Sequence, residues 1–177
     1  LSYDKPFNYS AINNEAVQQA EGEYVLLLNN DTKPISGEWL SAMVEHIQRA
    51  EIGAVGAKLL YPNDTIQHAG VVLGIGGIAG HAFKYLPADS DGYFGQLKVV
   101  RNCSAVTGAC LLTKKSIFQH VGGLDENTLR VAYNDIDYCL KVRKAGYLVV
   151  YTPYAELYHF ESATRGHDEE LKERDAA

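Results

Sequence analysis

The apolar positions of the chain change period as it runs. Over residues 10–20 they fall at Ile12, Ala16, Val17 and Ala20, the spacing of one helical face, with Ser10 placed to cap the start and Gly22 to end it. Residues 24–28 are a continuous apolar run, the pattern of a strand buried on both faces of a parallel sheet, and it stops at Asn29, Asn30 and Asp31. Trp39, Leu40, Met43, Val44 and Ile47 then mark the inner face of a second helix, which Ser36 would cap. Residues 53–61 predict another strand, closed by the turn cluster Pro62, Asn63 and Asp64.

Between residues 65 and 100 glycines are dense and no long period holds, which predicts hairpins and loops. Regularity returns with a strand over 105–113 and a short helix over 116–121 that Gly122 and Gly123 close. A helix follows over 135–145, with Ile136, Cys139, Leu140 and Val142 apolar. Lys141, Arg143 and Lys144 sit near its C-terminus, where cations suit the dipole. Residues 147–151 predict a strand, and 155–160 a last extended piece. Strands alternating with helices imply an α/β domain with parallel pairing, and the glycine-rich middle implies an antiparallel addition. The expected sheet is mixed and mainly parallel, flanked by helices.

The 177 residues make one domain of ordinary size, and 46% hydrophobic content is that of a chain with a real core. A net charge of −6 argues against a nucleic-acid partner, which needs a basic face to neutralise phosphates. The three cysteines are odd in number and lack metal-site spacing, so a disulfide framework is not expected and a reducing, cytoplasmic setting is. The longest glycine-bearing apolar run, residues 71–80, is too short to cross a bilayer. Residues 168–174, Asp-Glu-Glu-Leu-Lys-Glu-Arg, read as a solvated, frayed helix in a charged tail over 166–177.

Three places carry candidate chemistry. Open parallel sheets bind ligands beyond the carboxyl ends of their strands, and Asp31 stands there, where a carboxylate reaches a divalent cation that is also held by a diphosphate. Taken alone, Asn-Asn-Asp is equally the composition of a plain polar turn. Tyr133-Asn134-Asp135-Ile136-Asp137 opens a helix, where an acid gains from the dipole and suits a general base; the same residues are also ordinary helix caps. His159 follows a strand and is placed to complete a metal's ligand set, although a lone histidine is more often structural. His46, His68, His81, His120 and His167 show no ligand spacing. Gly74-Ile-Gly76-Gly-Ile-Ala79 matches a dinucleotide fingerprint in letters, but no helical pattern follows it, so a tight hairpin is the better reading.

These signals fall, in order, within a longer set. Phe7-Asn-Tyr-Ser-Ala-Ile-Asn13-Asn14 and Gly22-Glu-Tyr-Val-Leu-Leu-Leu-Asn-Asn-Asp31 come first. Ala54-Val-Gly-Ala-Lys-Leu-Leu-Tyr-Pro62, Thr65-Ile-Gln-His-Ala-Gly70 and Ala105-Val-Thr-Gly-Ala-Cys110 follow. Val121-Gly-Gly-Leu-Asp125, Tyr133-Asn-Asp-Ile-Asp137 and Tyr151-Thr-Pro-Tyr-Ala-Glu-Leu-Tyr-His159 complete it. Together they resemble the family-2 glycosyltransferases of the A-type fold, nearest to bacterial rhamnosyltransferase-like and cell-surface polysaccharide transferases, over residues 1–165. The resemblance implies an inverting transfer of a sugar from a nucleotide-diphosphate donor to a hydroxyl on a saccharide or lipid-linked saccharide, with Mn²⁺ or Mg²⁺ as cofactor. It matches Asp31 to the acid that meets the metal, and His159 to a further metal ligand. It matches Asn134 and Asp135 to the acidic catalytic pair, with Asp135 the base. Asn29, Asn30 and Asn13 fall on the nucleotide side, and Gly108 and Ala109 in a loop that lines the sugar cavity.

Two positions depart from that pattern: Asn29 stands where the family has the first Asp of its metal motif, and Asn134 where it has Glu. Family members also begin with βα units that hold the base and ribose, and Leu1 falls just before the Phe7-Asn8 element. The expectation is therefore a catalytic domain truncated at its N-terminus, weak in donor binding by itself, with an exposed sheet edge that a second copy would cover. Peripheral association with the inner face of the membrane is expected for the full-length protein. The competing readings are a non-catalytic sugar-binding or partner-binding domain with the same fold, and a nucleotidylyltransferase-like enzyme.

Overall fold

The computed structural model describes residues 3–160. The charged run at 168–174 and the tail boundary at 165/166 lie outside the described residues. Nine strands and four helices follow in the order α1 (Tyr9–Gln19), β1 (Tyr24–Leu28), β2 (Thr32–Pro34), α2 (Trp39–Ile47), β3 (Ile52–Leu60), β4 (Ile66–His68), β5 (Val71–Leu73), β6 (Ala79–His81), β7 (Arg101–Asn102), β8 (Cys110–Lys114), α3 (Lys115–His120), α4 (Asn134–Lys144) and β9 (Leu148–His159).

The main sheet runs β1-β8-β3-β9-β2, with β4 added to β3 and β7 to β9. It is mixed, as expected, but the balance differs from a mainly parallel sheet: β3 and β9 pair in parallel, while β1–β8, β3–β8, β2–β9, β3–β4 and β7–β9 are antiparallel. The misleading element is β1. Its five apolar residues are not buried on both faces, since Val25 and Leu27 are buried whereas Leu28 is exposed. A run of large apolar residues hides that alternation in the letters.

Both faces of the sheet centre are covered, which is why all nine residues of β3 are buried. Neighbouring residues feed opposite layers, as strand alternation requires. Ala54, Leu111 and Val149 pack with α1, α3 and α4 through Val17, Phe118, Tyr138 and Val142. Val55, Leu112 and Val150 pack with α2 through Met43 and Ile47. Full burial of an aliphatic side chain of this size stabilises by roughly 1.5–3 kcal/mol. Of the expected inner face of α2, Met43 and Ile47 are fully buried, while Leu40 is exposed.

Several boundaries move for local reasons. Helix α1 starts earlier than Ser10: extended Asn8 is its cap, accepting from the Ala11 N–H at 3.0 Å. Ser10 is instead buried in the first turn, where its hydroxyl donates to the Leu129 carbonyl at 2.6 Å. The helix ends at Gln19 with Ala20, not Gly22, as its cap. Glu38 rather than Ser36 precedes α2, without a side-chain capping bond. The strand expected over 105–113 is confined to Cys110–Lys114, because residues 105–109 leave the ladder as a loop. The two pieces expected at 147–151 and 155–160 are one twelve-residue strand. Ala57 pairs with Thr152 and Lys58 with Glu156, so Pro153, Tyr154 and Ala155 bulge out of the ladder; a proline, lacking an N–H, belongs at such a bulge. The short strands β2 and β7 carry no legible periodicity.

Candidate active site

The loop at 105–109 holds two acid-bearing segments together. The Ala109 carbonyl accepts the Asn29 N–H at 3.0 Å, just past the end of β1. One residue earlier, the Gly108 N–H donates to Asp135 Oδ2 at 2.8 Å, at the start of α4. The loops bearing Asp31 and Asp135 therefore flank one dipeptide. The other Asp135 oxygen, Oδ1, accepts the Ile136 N–H at 2.8 Å. Tyr9 of α1 closes the same corner by donating its hydroxyl to the Gly108 carbonyl at 3.3 Å. Space is tight at Gly108: a Cβ there would meet the Tyr9 hydroxyl at 3.3 Å and the Asp135 Cβ at 3.4 Å.

Asp31 sits between β1 and β2 opposite the end of β9. Its carbonyl accepts the Phe160 N–H at 2.9 Å, and Thr32 pairs with His159 in the ladder. His159 Nε2 lies 3.1 Å from Asp31 Oδ1 and 3.3 Å from Asn29 Nδ2. On the far side of the ring, Nδ1 meets Gln67 Oε1 at 2.7 Å. Asp31 Oδ1 is shielded from solvent and faces the His159 ring nitrogen. An anionic oxygen and an imidazole nitrogen converging in this way form the donor set that Mn²⁺ or Mg²⁺ accepts from protein, with remaining positions left for phosphate oxygens and water. No cluster of three or more His, Cys, Asp or Glu side chains that could hold a metal ion occurs among the described residues.

The remaining candidates are placed as follows. Asn30 is exposed in the turn after β1. Asn134 is buried and donates to the Leu129 carbonyl at 3.4 Å, so its amide steadies the loop before α4. Asn13 donates to the Tyr9 carbonyl of its own helix at 2.8 Å. Asp137 is paired with Lys141 at 2.7 Å, one helical turn on.

Sequence reasoning passed over three residues around this site. Gln67 backs His159. His68, fully buried, accepts from the Gly70 and Thr107 N–H groups through Nε2 at 3.2 and 3.4 Å, and its Nδ1 lies 2.7 Å from His81 Nδ1. Burial first, and the neighbouring His81 next, hold His68 well below the ordinary histidine range, so it is neutral. Asn14 straps α1 to the Gly123–Leu124 turn, accepting from the Leu124 N–H and donating to its carbonyl, each at 2.9 Å. The signal for Gln67 and His68 was present only as the string Thr65-Ile-Gln-His and that for Asn14 only as the end of the Phe7–Asn14 string, and neither string has a spacing rule of its own.

No family model matches the chain. Among curated sequences it is 57% identical over 170 residues to the uncharacterised protein y4gI of Sinorhizobium fredii, covering 96% of this chain and 19% of that protein. It is 45% identical over 169 residues to the O-antigen biosynthesis protein RfbC of Myxococcus xanthus, covering 95% of this chain and 13% of the relative. A shorter match, 40% over 63 residues, is to the N-acetylglucosaminyl-diphospho-decaprenol L-rhamnosyltransferase of Mycobacterium tuberculosis, covering 36% of this chain and 20% of that enzyme. The chain thus spans a fifth or less of the length of these relatives. Among solved structures, the mannosyltransferase PcManGT of Pyrobaculum calidifontis, in complex with GDP-Man and Mn²⁺, matches 98% of this chain and 42% of its own at a TM-score of 0.66 and 13% identity. GalNAc-T7 with UDP, GalNAc and Mn²⁺ matches 90% of this chain and 32% of its own at a TM-score of 0.69 and 11% identity. At such identities the structures speak to the fold, which is the A-type fold of these glycosyltransferases, and together with the sequence relatives they support a place for the chain among family-2-like glycosyltransferases.

Proposed function

We propose that this chain provides the metal-side and acceptor-side half of an inverting glycosyltransferase of cell-surface polysaccharide synthesis. The observation that carries the reading is the Gly108–Ala109 dipeptide, which bonds the Asp31 loop through one residue and Asp135 through the next. A metal-side carboxylate and a candidate base thereby flank one short segment, as a single displacement at a sugar carbon requires.

Asp31 and His159 would hold the divalent cation, with the Asn29 amide beside them. Such a cation, when bound, supplies Lewis-acid neutralisation of the charge that grows on a leaving diphosphate. Asp135 accepts the proton of the acceptor hydroxyl as that oxygen attacks the anomeric carbon from the face opposite the leaving group. The C–O bond to the diphosphate breaks as the new one forms, and configuration inverts without a covalent sugar intermediate. Both Asp135 oxygens already accept a backbone N–H, which fixes the carboxylate and leaves each oxygen a lone pair for the hydroxyl. Asn30 and Asn13 belong to the nucleotide side of this reading, and Ala109 with Gly108 to the cavity wall. The donor is a nucleotide sugar and the acceptor a saccharide or lipid-linked saccharide. The name of the mycobacterial relative supports a lipid-linked acceptor. Cytoplasmic location, peripheral contact with the membrane's inner face and a homodimer across the β1 edge belong to the same proposal.

The test is release of nucleoside diphosphate by the complete gene product, given Mn²⁺, a panel of UDP-, GDP- and dTDP-sugars and a lipid-linked saccharide. Product of inverted configuration, lost on chelation and in Asp135→Asn, is expected. Donor binding without transfer to any acceptor would favour the non-catalytic sugar-binding domain instead.

A further inference from the structure

We propose that Gln67 is a positioning residue that fixes the tautomer and aim of His159, a role that rests on the metal reading of the site. Gln67 is 3% exposed and makes two bonds to the same residue. Its Nε2 donates to the His159 carbonyl at 3.3 Å, and its Oε1 lies 2.7 Å from His159 Nδ1. A carbonyl oxygen only accepts, so the amide end that reaches it is the NH₂. The other end is then the oxygen, and it also only accepts. The proton between Gln67 and the ring therefore sits on Nδ1.

A neutral ring protonated at Nδ1 presents a bare lone pair at Nε2. Nε2 faces Asp31 Oδ1 at 3.1 Å, an oxygen shielded from solvent. A carboxylate oxygen and a ring nitrogen at this distance share a positive charge, either a proton on Nε2 or a cation beside the pair, and in both cases the Nδ1 proton stays on the Gln67 side. The Asn29 amide, whose Nδ2 is 3.3 Å from Nε2, agrees with a lone pair on that nitrogen. Fixing the remote nitrogen of a ligating histidine through a hydrogen bond is how a protein orients the ring and raises its basicity toward metal.

The backbone is arranged for this contact. His68 pairs with Leu59 and Ile66 with Leu60, so Gln67 is the extra residue of a bulge in β4. A bulge re-aims a side chain that regular alternation would send elsewhere. A glutamine serving only to fill the interior needs neither that irregularity nor both ends on one histidine.

Nitrogen-15 NMR of the histidine rings in the metal-free chain reads the clamp directly, and Mn²⁺ titration followed by electron paramagnetic resonance reads its consequence. In the unaltered chain the neutral His159 ring is expected to carry its proton on Nδ1. Gln67→Leu is expected to redistribute the proton toward Nε2 and to weaken Mn²⁺ binding by roughly 10–100-fold, the usual effect of losing such a partner. Gln67→Glu, whose carboxylate still accepts from Nδ1–H, keeps the tautomer and most of the affinity. A neutral His159 protonated at Nε2 in the unaltered chain, or a Gln67→Leu chain with unchanged tautomer and affinity, overturns the proposal. Should Gln67→Leu fail to fold, the unaltered chain and Gln67→Glu still decide it. A chain that binds no Mn²⁺ yet shows the Nδ1 proton, lost in Gln67→Leu, removes the metal reading and leaves the clamp standing.

Discussion

The Gly108 N–H donates to Asp135 Oδ2 across 2.8 Å, joining the loop that leads into β8 to the first turn of α4, 27 residues later in the chain. The bond does two things at once. It orients the carboxylate without side-chain help, and it ties that carboxylate to the segment whose next residue, Ala109, holds the loop after β1.

Replacing Asp135 by Asn tests the base while keeping the bond from Gly108, which the amide oxygen still accepts, at the cost of the bond from the Ile136 N–H, because the other end is then a donor. Turnover of the complete gene product is expected to fall by roughly 10²–10⁴, the usual worth of a general base. Asp137→Asn, which removes only the partner of Lys141, is expected to stay near the unaltered rate. Steady-state nucleoside diphosphate release compares the two, and the reverse ranking moves the base to Asp137.

Gly108→Ala is a test of positioning. The new Cβ would press on the Tyr9 hydroxyl at 3.3 Å and the Asp135 Cβ at 3.4 Å, a fit that needs shifts of a few tenths of an ångström. Small displacements of a reacting group are expensive, with about 1 Å costing on the order of 100-fold. The expected result is a several-fold loss of kcat with a nearly unchanged melting temperature. Adding Tyr9→Phe removes the nearer obstacle and is expected to restore part of the rate.

His68 makes stability depend on acid. Its folded pKa is depressed by burial and then by His81, with Arg101 and His159 adding smaller like-charge effects. An unfolded histidine titrates near about 6.5. Below that pH the unfolded chain binds a proton that the folded chain refuses, so this contribution is fully present above about 6.5 and lost as pH falls. The loss approaches about 1.4 kcal/mol per pH unit from this one group. Thermal unfolding from pH 7.5 to 5 is expected to show a shallower acid decline in His68→Gln than in the unaltered chain.

Core packing is tested at Gly56 on β3, where an added Cβ would overlap the side chain of Val106 in the loop over 105–109. Gly56→Ala is expected to destabilise on the order of 1–3 kcal/mol, the range for overpacking a tight interior. Gly37→Ala, with nothing within 4 Å of the new atom, is expected to stay within about 0.5 kcal/mol. Urea denaturation with matched slopes checks both.

The sequence by itself determined the covered, mixed α/β character, through apolar runs at β1, β3 and β8 and amphipathic spacing in α1 and α4. It also determined the stations of Asp31, Asp135 and His159, because polar residues that end a strand or open a helix are legible in one dimension. Strand pairing came from long-range contacts alone. The direction of β1 against β8 depends on which neighbour is in reach, and five apolar letters are silent on that. The union of 147–151 with 155–160 depends on a bulge that a parallel partner absorbs. Gln67 and His68 became part of the site only when the irregular β4–β3 pairing aimed one at His159 and the other at Thr107. Local preference writes periods into a sequence, but contacts between residues tens of positions apart leave no period, and they are what bring the acids, the histidine and its glutamine together.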